Sequence, residues 1–162
     1  MSAPQMKQSL LAVELKQTKP LPLEQEAFTN LQRTAAILMQ QVEANLGQRG
    51  ITPTQYNILR ILRGAGSQGI RCGEIAKRLA SPDPDVTRLL DRLFKRGYIG
   101  RIRVEHDRRV VIVRITPAGQ NILKDLDGPV LQLQRKYFRR LTRRETLSFN
   151  RLCEKLRRSE KN

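Results

Sequence analysis

Between Asp83 and Thr116 the hydrophobic period of the chain switches from that of a helix to that of a strand, which constrains the fold more than any other feature. Val86, Leu89, Leu90, Leu93 and Phe94 recur at i, i+3, i+4, i+7 and i+8, an apolar stripe along a helix over residues 84–96. Asp83 is placed to cap it, Pro84 suits the first helical position, Asp85 brings a favourable charge to the first turn, and Gly97 closes it. From Ile99 the period is two. Arg101 and Arg103 alternate with Ile102 and Val104, residues 105–109 turn the chain, and residues 110–115 form a β-branched run.

The flanking residues read as helices. Leu31, Ala35, Leu38, Val42 and Leu46 mark one side of a long helix that Gly47 and Gly50 end. Thr52, Pro53 and Gln55 form a capping box with proline at the first helical position, opening a helix that carries Tyr56, Leu59 and Leu62. A glycine-rich run, 64–69, leads through a very short strand at Ile70 to a helix over 73–80 with Ile75, Ala76 and Leu79 inside. Thr116 and Pro117 start a further helix with Ile122, Leu123, Leu126, Val130, Leu133 and Tyr137 on its apolar side, and Gly128-Pro129 is expected to kink or break it. Thr142 and Glu145 make a second capping box ahead of a last helix bearing Leu147, Leu152 and Leu156.

The expected class is mainly α with a small β-wing, a winged helix-turn-helix flanked by N- and C-terminal helices. Four segments follow: a weakly ordered arm (1–22), an N-terminal helix (23–50), a winged lobe (51–116) and C-terminal helices (117–162). The apolar content of 39% and the absence of tryptophan suggest that part of the apolar surface is completed by a second subunit. A net charge of +16 favours a polyanionic partner. No apolar run approaches the roughly 20 residues of a spanning helix, and the polar, proline-interrupted N-terminus is unlike a signal peptide, so a cytoplasmic protein without membrane contact is expected.

The chemistry lies on the outside of the helix and on the hairpin. The apolar stripe leaves Asp85, Thr87, Arg88, Asp91, Arg92 and Lys95 outward; arginine can bond guanine edges in the major groove, and threonine a phosphate or a thymine methyl. Asp91 can orient either Arg88 or Lys95. A solvated face with intrahelical ion pairs is the competing account. The hairpin favours DNA. Its tip carries His106, Asp107, Arg108 and Arg109 between strands bearing Arg101, Arg103 and Arg114, and an arginine there can enter a narrow minor groove while Asp107 braces it.

The pieces TPTQYNILRIL, GEIAKRLA, DVTRLLDRLFKRGYIGRIR and DRRVVIVRITPAGQNIL resemble the multiple antibiotic resistance regulator (MarR) family of bacterial transcription factors over about residues 51–126. The resemblance implies a homodimer in which 23–50 and 117–162 are interlocked N- and C-terminal dimerisation helices and 51–116 is the DNA-binding lobe, setting two recognition helices in successive major grooves of a pseudo-palindromic double-stranded operator. It makes Thr87 and Arg88 the recognition-helix pair, Arg109 the minor-groove arginine beside Asp107, and Arg108 a phosphate contact. This chain departs from the pattern at Pro82-Asp83-Pro84-Asp85, where small polar residues are usual, and at Arg71, where a serine or threonine would cap. The acids at the helix start leave base preference open.

The resemblance also implies a small aromatic effector, for which Phe28, Tyr56 and Tyr137 are candidate pocket walls, although each equally fits ordinary core. Cys72 opens a helix, where the dipole favours thiolate, but it reads better as a small semi-buried thiol; Cys153 reads as a helix-interface residue. Two distant cysteines and one histidine make no metal spacing, and paired carboxylates and phosphate loops are lacking. No catalytic residue, metal or cofactor is therefore expected. The function read is a sequence-specific regulator acting as a repressor, since occlusion of a promoter needs only binding. The alternative is a sequence-nonspecific basic protein of the nucleoid- or RNA-associated kind, drawing on the cations between Arg135 and Arg158.

Overall fold

The structure is a computed structural model that describes residues 9–80, 83–104 and 107–158, with residues 104 and 107–109 described by their backbone alone. Two compact units divide it, residues 1–41 and 42–162. In the first, Ser9 accepts a bond from the Ala12 amide (3.3 Å) and caps helix α1 (Leu10–Glu14), whose Glu14 pairs with Arg33 at 2.7 Å. The stretch expected to be a weakly ordered arm thus contains a helix, because Ser9 supplies a cap and Leu11 a buried side chain. Helix α2 (Leu23–Gly47) begins after Pro22 with Glu24 and Glu26 in its first turn, where negative charge suits the helix dipole. Leu31, Ile37 and Met39 of α2 are exposed.

The second unit is built around α3 (Pro53–Gly64). Its capping box forms as the sequence dictates, the Thr52 hydroxyl accepting from the Gln55 amide (3.2 Å) and the Gln55 side chain accepting from the Thr52 amide (3.1 Å). A 3₁₀ turn, Gly66–Gln68, leads to β1 (Ile70–Arg71), then α4 (Cys72–Arg78), α5 (Val86–Lys95), β2 (Ile99–Val104), β3 (Asp107–Ile115), α6 (Pro117–Phe138) and α7 (Arg143–Arg157). The three strands form one antiparallel sheet in the order β1-β3-β2. α3 packs on α4, α5, α6 and β3, so Ile58, Leu59 and Leu62 meet Leu90, Leu93, Ile99, Val113 and Leu123 in one core. Gly69 has φ +70°, and a Cβ there would lie 2.6 Å from the Val113 carbonyl; only glycine lets the turn enter the sheet. Gly119 is needed for space instead, since its Cβ would fall 2.2 Å from the Tyr98 carbonyl where α6 crosses the wing base.

Four of these elements differ from the sequence reading, and α4 is the first: it spans Cys72–Arg78 instead of 73–80 and leaves Ala76 exposed. α5 starts at Val86 rather than at Pro84: the Asp83 carboxylate accepts from the Asp85 amide (2.8 Å), a local turn that occupies the residues ahead of the helix. Asp85 takes the cap position without a side-chain cap bond. β3 starts at Asp107, so only Glu105 and His106, which lie outside the described residues, separate the strands. α6 continues through Gly128-Pro129 without a break. An interior proline costs about 3 kcal/mol, which burial of Leu123, Leu126 and Val130 on both sides offsets.

Candidate nucleic-acid interface

The candidate recognition helix, α5, is held firmly along its inner side. Val86, Leu89, Leu90 and Leu93 are buried, and Gly97 (φ +71°) reverses the chain at its end. The outer side presents Thr87, Arg88, Arg92 and Lys95 to solvent, with Asp85 exposed and Asp91 half-buried. Phe94, expected in the apolar stripe, is 49% exposed: it lies at the helix edge beneath the wing, and the Arg101 guanidinium stacks on its ring at 5.3 Å. The helical spacing suggested Arg88 or Lys95 as the partner of Asp91, but it binds neither. It pairs with Arg101 on β2 at 2.7 Å, while Arg88 reaches back to Asp85 at 3.4 Å. α5 packs directly against β2, which brings Arg101 within reach of Asp91.

Arg101 therefore ties the wing to the recognition helix. Its register explains how. Arg101 is paired with Val113 and Arg103 with Val111, which sets both arginines on the sheet face shared with buried Val113, while Ile102 on the other face is half-exposed. Together with Thr87 of α5 and the start of α4, they line a recess of about 550 Å³ whose walls include Cys72, Glu74 and Val111. Arg103 remains exposed at its rim. The backbone of Asp107, Arg108 and Arg109 runs in β3, opposite the end of β2, where Val104 faces Asp107 after an irregularity in register. The proposed Asp107–Arg109 brace and the role of His106 fall outside the described side chains and residues.

Nothing in the local pattern pointed to Arg96. Its guanidinium donates to the carbonyls of Gly50 and Arg49 (the latter at 3.1 Å) and stacks on Tyr98 at 4.8 Å, pinning the end of α5 to the loop after α2. Thr116 completes the wing base, its hydroxyl donating to the Gly97 carbonyl (2.6 Å) and accepting from the Gly119 amide (3.1 Å). An arginine before a helix-closing glycine was the one available signal, and it does not say which carbonyls lie within reach.

The candidate effector walls do different work. Tyr56 is 8% exposed and donates its hydroxyl to Asp127 (2.7 Å), which also pairs with Arg63. Burial first, and then the bond to the Asp127 carboxylate, push the Tyr56 hydroxyl up to about 12. Partial burial raises the Asp127 carboxyl, but the bonds from Arg63 and Tyr56 outweigh it and hold the carboxyl below its usual value. Tyr56 is thus a satisfied core residue of the α3–α6 packing. Tyr137 is half-buried on α6, and Phe28, in the other unit, is 60% exposed. Cys72 and Cys153 are both free and partly buried. Among the described residues, no group of three or more His, Cys, Asp or Glu side chains could hold a metal ion, and no helix is long and apolar enough to cross a membrane.

A helix-turn-helix with this antiparallel wing matches known proteins in sequence and in shape. The profile of the MarR family matches residues 51–111. The uncharacterised HTH-type transcriptional regulator YsmB of Bacillus subtilis is 30% identical over 139 residues, 86% of this chain and 94% of that protein. The crystal structure of the MarR transcription factor from Planctomyces limnophilus is 40% identical, with a TM-score of 0.65 over 84% of this chain and 98% of that one. The chain belongs to the MarR family. As a MarR-family protein it is a helix-turn-helix transcriptional regulator. The MarR fold is shared more distantly by BpsR of Bordetella bronchiseptica, at 20% identity and a TM-score of 0.76, over 88% of this chain and all of that one. That structure bears on regulation of the DNA binding of BpsR by 6-hydroxynicotinic acid.

Proposed function

We propose that the chain is a homodimeric, sequence-specific regulator acting in the cytoplasm, which represses by occupying a pseudo-palindromic operator. One observation carries this reading: α5 buries Leu89, Leu90 and Leu93 and turns Thr87, Arg88, Arg92 and Lys95 outward beside an arginine-bearing wing. A helix held in this way fits the major groove, with Arg88 and Thr87 nearest its N-terminal end. Arg88 must leave Asp85 to bond a base, so Asp85 acts as its temporary partner in free protein. Arg109 is assigned to the minor groove and Arg108 to phosphate. Arg101, committed to Asp91 and Phe94, positions the wing instead of reading DNA. Dimerisation is supported by exposed apolar residues in α2 and α7, among them Leu31, Leu152 and Leu156.

The recess bounded by Thr87, Arg101 and Arg103 is a better effector site than Phe28, Tyr56 and Tyr137. Three arginines there, Arg71, Arg101 and Arg103, outweigh Glu74 and suit an acidic aromatic molecule, and a ligand touching Thr87 and Arg101 would compete with the wing–helix contact. The regulation of BpsR by 6-hydroxynicotinic acid supports that chemistry.

Selection of bound duplexes from random DNA tests the proposal. The expected result is one inverted repeat, protected at two half-sites about one helical turn apart. Sequence-independent binding is the second reading, favoured by the surplus of cations outside the winged lobe; a salt series that weakens all duplexes equally would establish it instead.

A further inference from the structure

Between Arg135 and Arg158 the chain carries ten cationic side chains against two acidic ones, half of the net charge of +16. All ten are exposed, and among the described residues none of them pairs with a carboxylate. Five of the ten lie on α7, and of these only Lys155 and Arg157, in its last turn, suit the helix dipole. Arg143 and Arg144 open α7, where positive charge opposes the helix dipole, and Thr142 with Glu145 already satisfies the N-terminal amides. They are also segregated. Arg143, Arg144, Arg151, Lys155 and Arg158 recur at helical spacing along one side of α7, whereas Phe149, Leu152 and Leu156 follow the opposite side. The cationic side holds an open depression lined by Arg143, Arg144, Leu147, Asn150, Arg151 and Glu154.

Distance separates this surface from the recognition elements. α6 starts at the foot of the wing, and about 27 Å of helix axis lies between Pro117 and Arg135. That length of α6 sets the C-terminal cations apart from the foot of the wing. We propose that the cationic side of α7, with the end of α6, is a second duplex-DNA-binding surface that grips phosphates without reading sequence. The partner is a second DNA segment, either a distant duplex or a flank bent back toward the C-terminal helices. Eight of the ten cations are arginines, whose planar guanidinium bonds phosphate oxygens two at a time. A membrane surface fits less well, since the apolar side of α7 faces away from the cations and Leu147 is the one large apolar residue among those lining the depression.

The test compares the full chain with the variant Arg143→Gln/Arg144→Gln/Arg151→Gln/Lys155→Gln. Each protein is loaded on an immobilised duplex selected for tight binding, and a fluorescent duplex of unrelated sequence is then offered. The wild type is expected to capture the second duplex and the variant to capture about tenfold less, while both stay on the first duplex equally. For bulk duplex, the slope of log affinity against log salt should become shallower by about 3–4 in the variant, near 0.9 for each phosphate no longer neutralised. A control with all four positions changed only in kind (Arg143→Lys/Arg144→Lys/Arg151→Lys/Lys155→Arg) should keep most of the capture, and sedimentation should give all three proteins the same oligomeric state. Equal capture by wild type and the glutamine variant, or none by either, would overturn the proposal. So would capture of vesicles made of equal parts phosphatidylglycerol and phosphatidylcholine with no capture of DNA. If selection returns no preferred sequence, the regulator reading fails separately, and the salt slope on bulk duplex still decides the C-terminal surface.

Discussion

Helices α5 and α7 have similar sequence patterns and opposite fates. Each is amphipathic, with leucines at helical spacing on one side and arginines on the other. In α5 the leucine side is enclosed by α3 and β2, leaving Leu90 and Leu93 essentially inaccessible to water. In α7 no residue is buried, and Leu152 and Leu156 stand 60% and 76% exposed. The difference shows that amphipathicity states only that a helix needs a partner. α5 finds its partner within the same lobe, which holds its outer face rigidly for the reading role proposed above. α7 leaves its apolar side open for a second copy of the chain, consistent with the dimer proposed above.

The comparison can be broken most sharply at the core. Leu93→Ala should destabilise the winged lobe by about 2–5 kcal/mol, measured by denaturant unfolding, whereas Leu156→Ala in a dilute monomeric sample should change stability little. Next in size, Leu152→Glu with Leu156→Glu should shift the protein to monomer in sedimentation while far-UV circular dichroism keeps its helical signal. Loss of the fold in that variant would mean that α7 supports the lobe directly. On the reading side, Arg88→Ala should weaken binding to the selected operator by about 1–3 kcal/mol if it contacts a base. Arg101→Ala should have a smaller effect, below about 1 kcal/mol on stability, because its ion pair is partly open to solvent and its role is to hold the wing.

The seam between α3 and α6 is the part of the lobe whose stability responds to pH. The Asp127 carboxyl is held below its unfolded value, so its contribution is present above that value and lost as the pH falls. Asp127→Asn should lower stability at neutral pH by on the order of 1–2 kcal/mol and flatten the acid limb of a melting-temperature profile. An unchanged acid limb would mean that other carboxylates govern it. Tyr56 works in the opposite direction: its raised pKa gives stability that is intact below pH 10 and lost as the pH rises through about 12, and Tyr56→Phe should remove that alkaline loss.

Much of the lobe could be read from local patterns. The capping boxes at Thr52 and Thr142, the Thr116-Pro117 helix start and the leucine spacing of α5 depend on residues within four or five positions of one another, so they survive translation into structure with little change. Thr87, Arg88, Arg92 and Lys95 could be named as outward-facing for the same reason. Errors arose where a local cue competed with another local cue or with packing. Asp83 capped a turn at Asp85 instead of the helix itself, and burial of Val130 kept α6 intact across a proline that ordinarily interrupts a helix.

The switch of period between Asp83 and Thr116 was therefore enough by itself to determine an amphipathic helix, an arginine-bearing hairpin and their order. Only the tertiary structure decided that Asp91 holds Arg101, that Phe94 serves as a platform for that guanidinium, and that Arg96 pins the far end of α5 to Gly50. The physical reason is range. Propensity and periodicity act along the chain over a few residues, but a guanidinium chooses its partner by distance through space, and that distance is fixed only when β2 docks on α5.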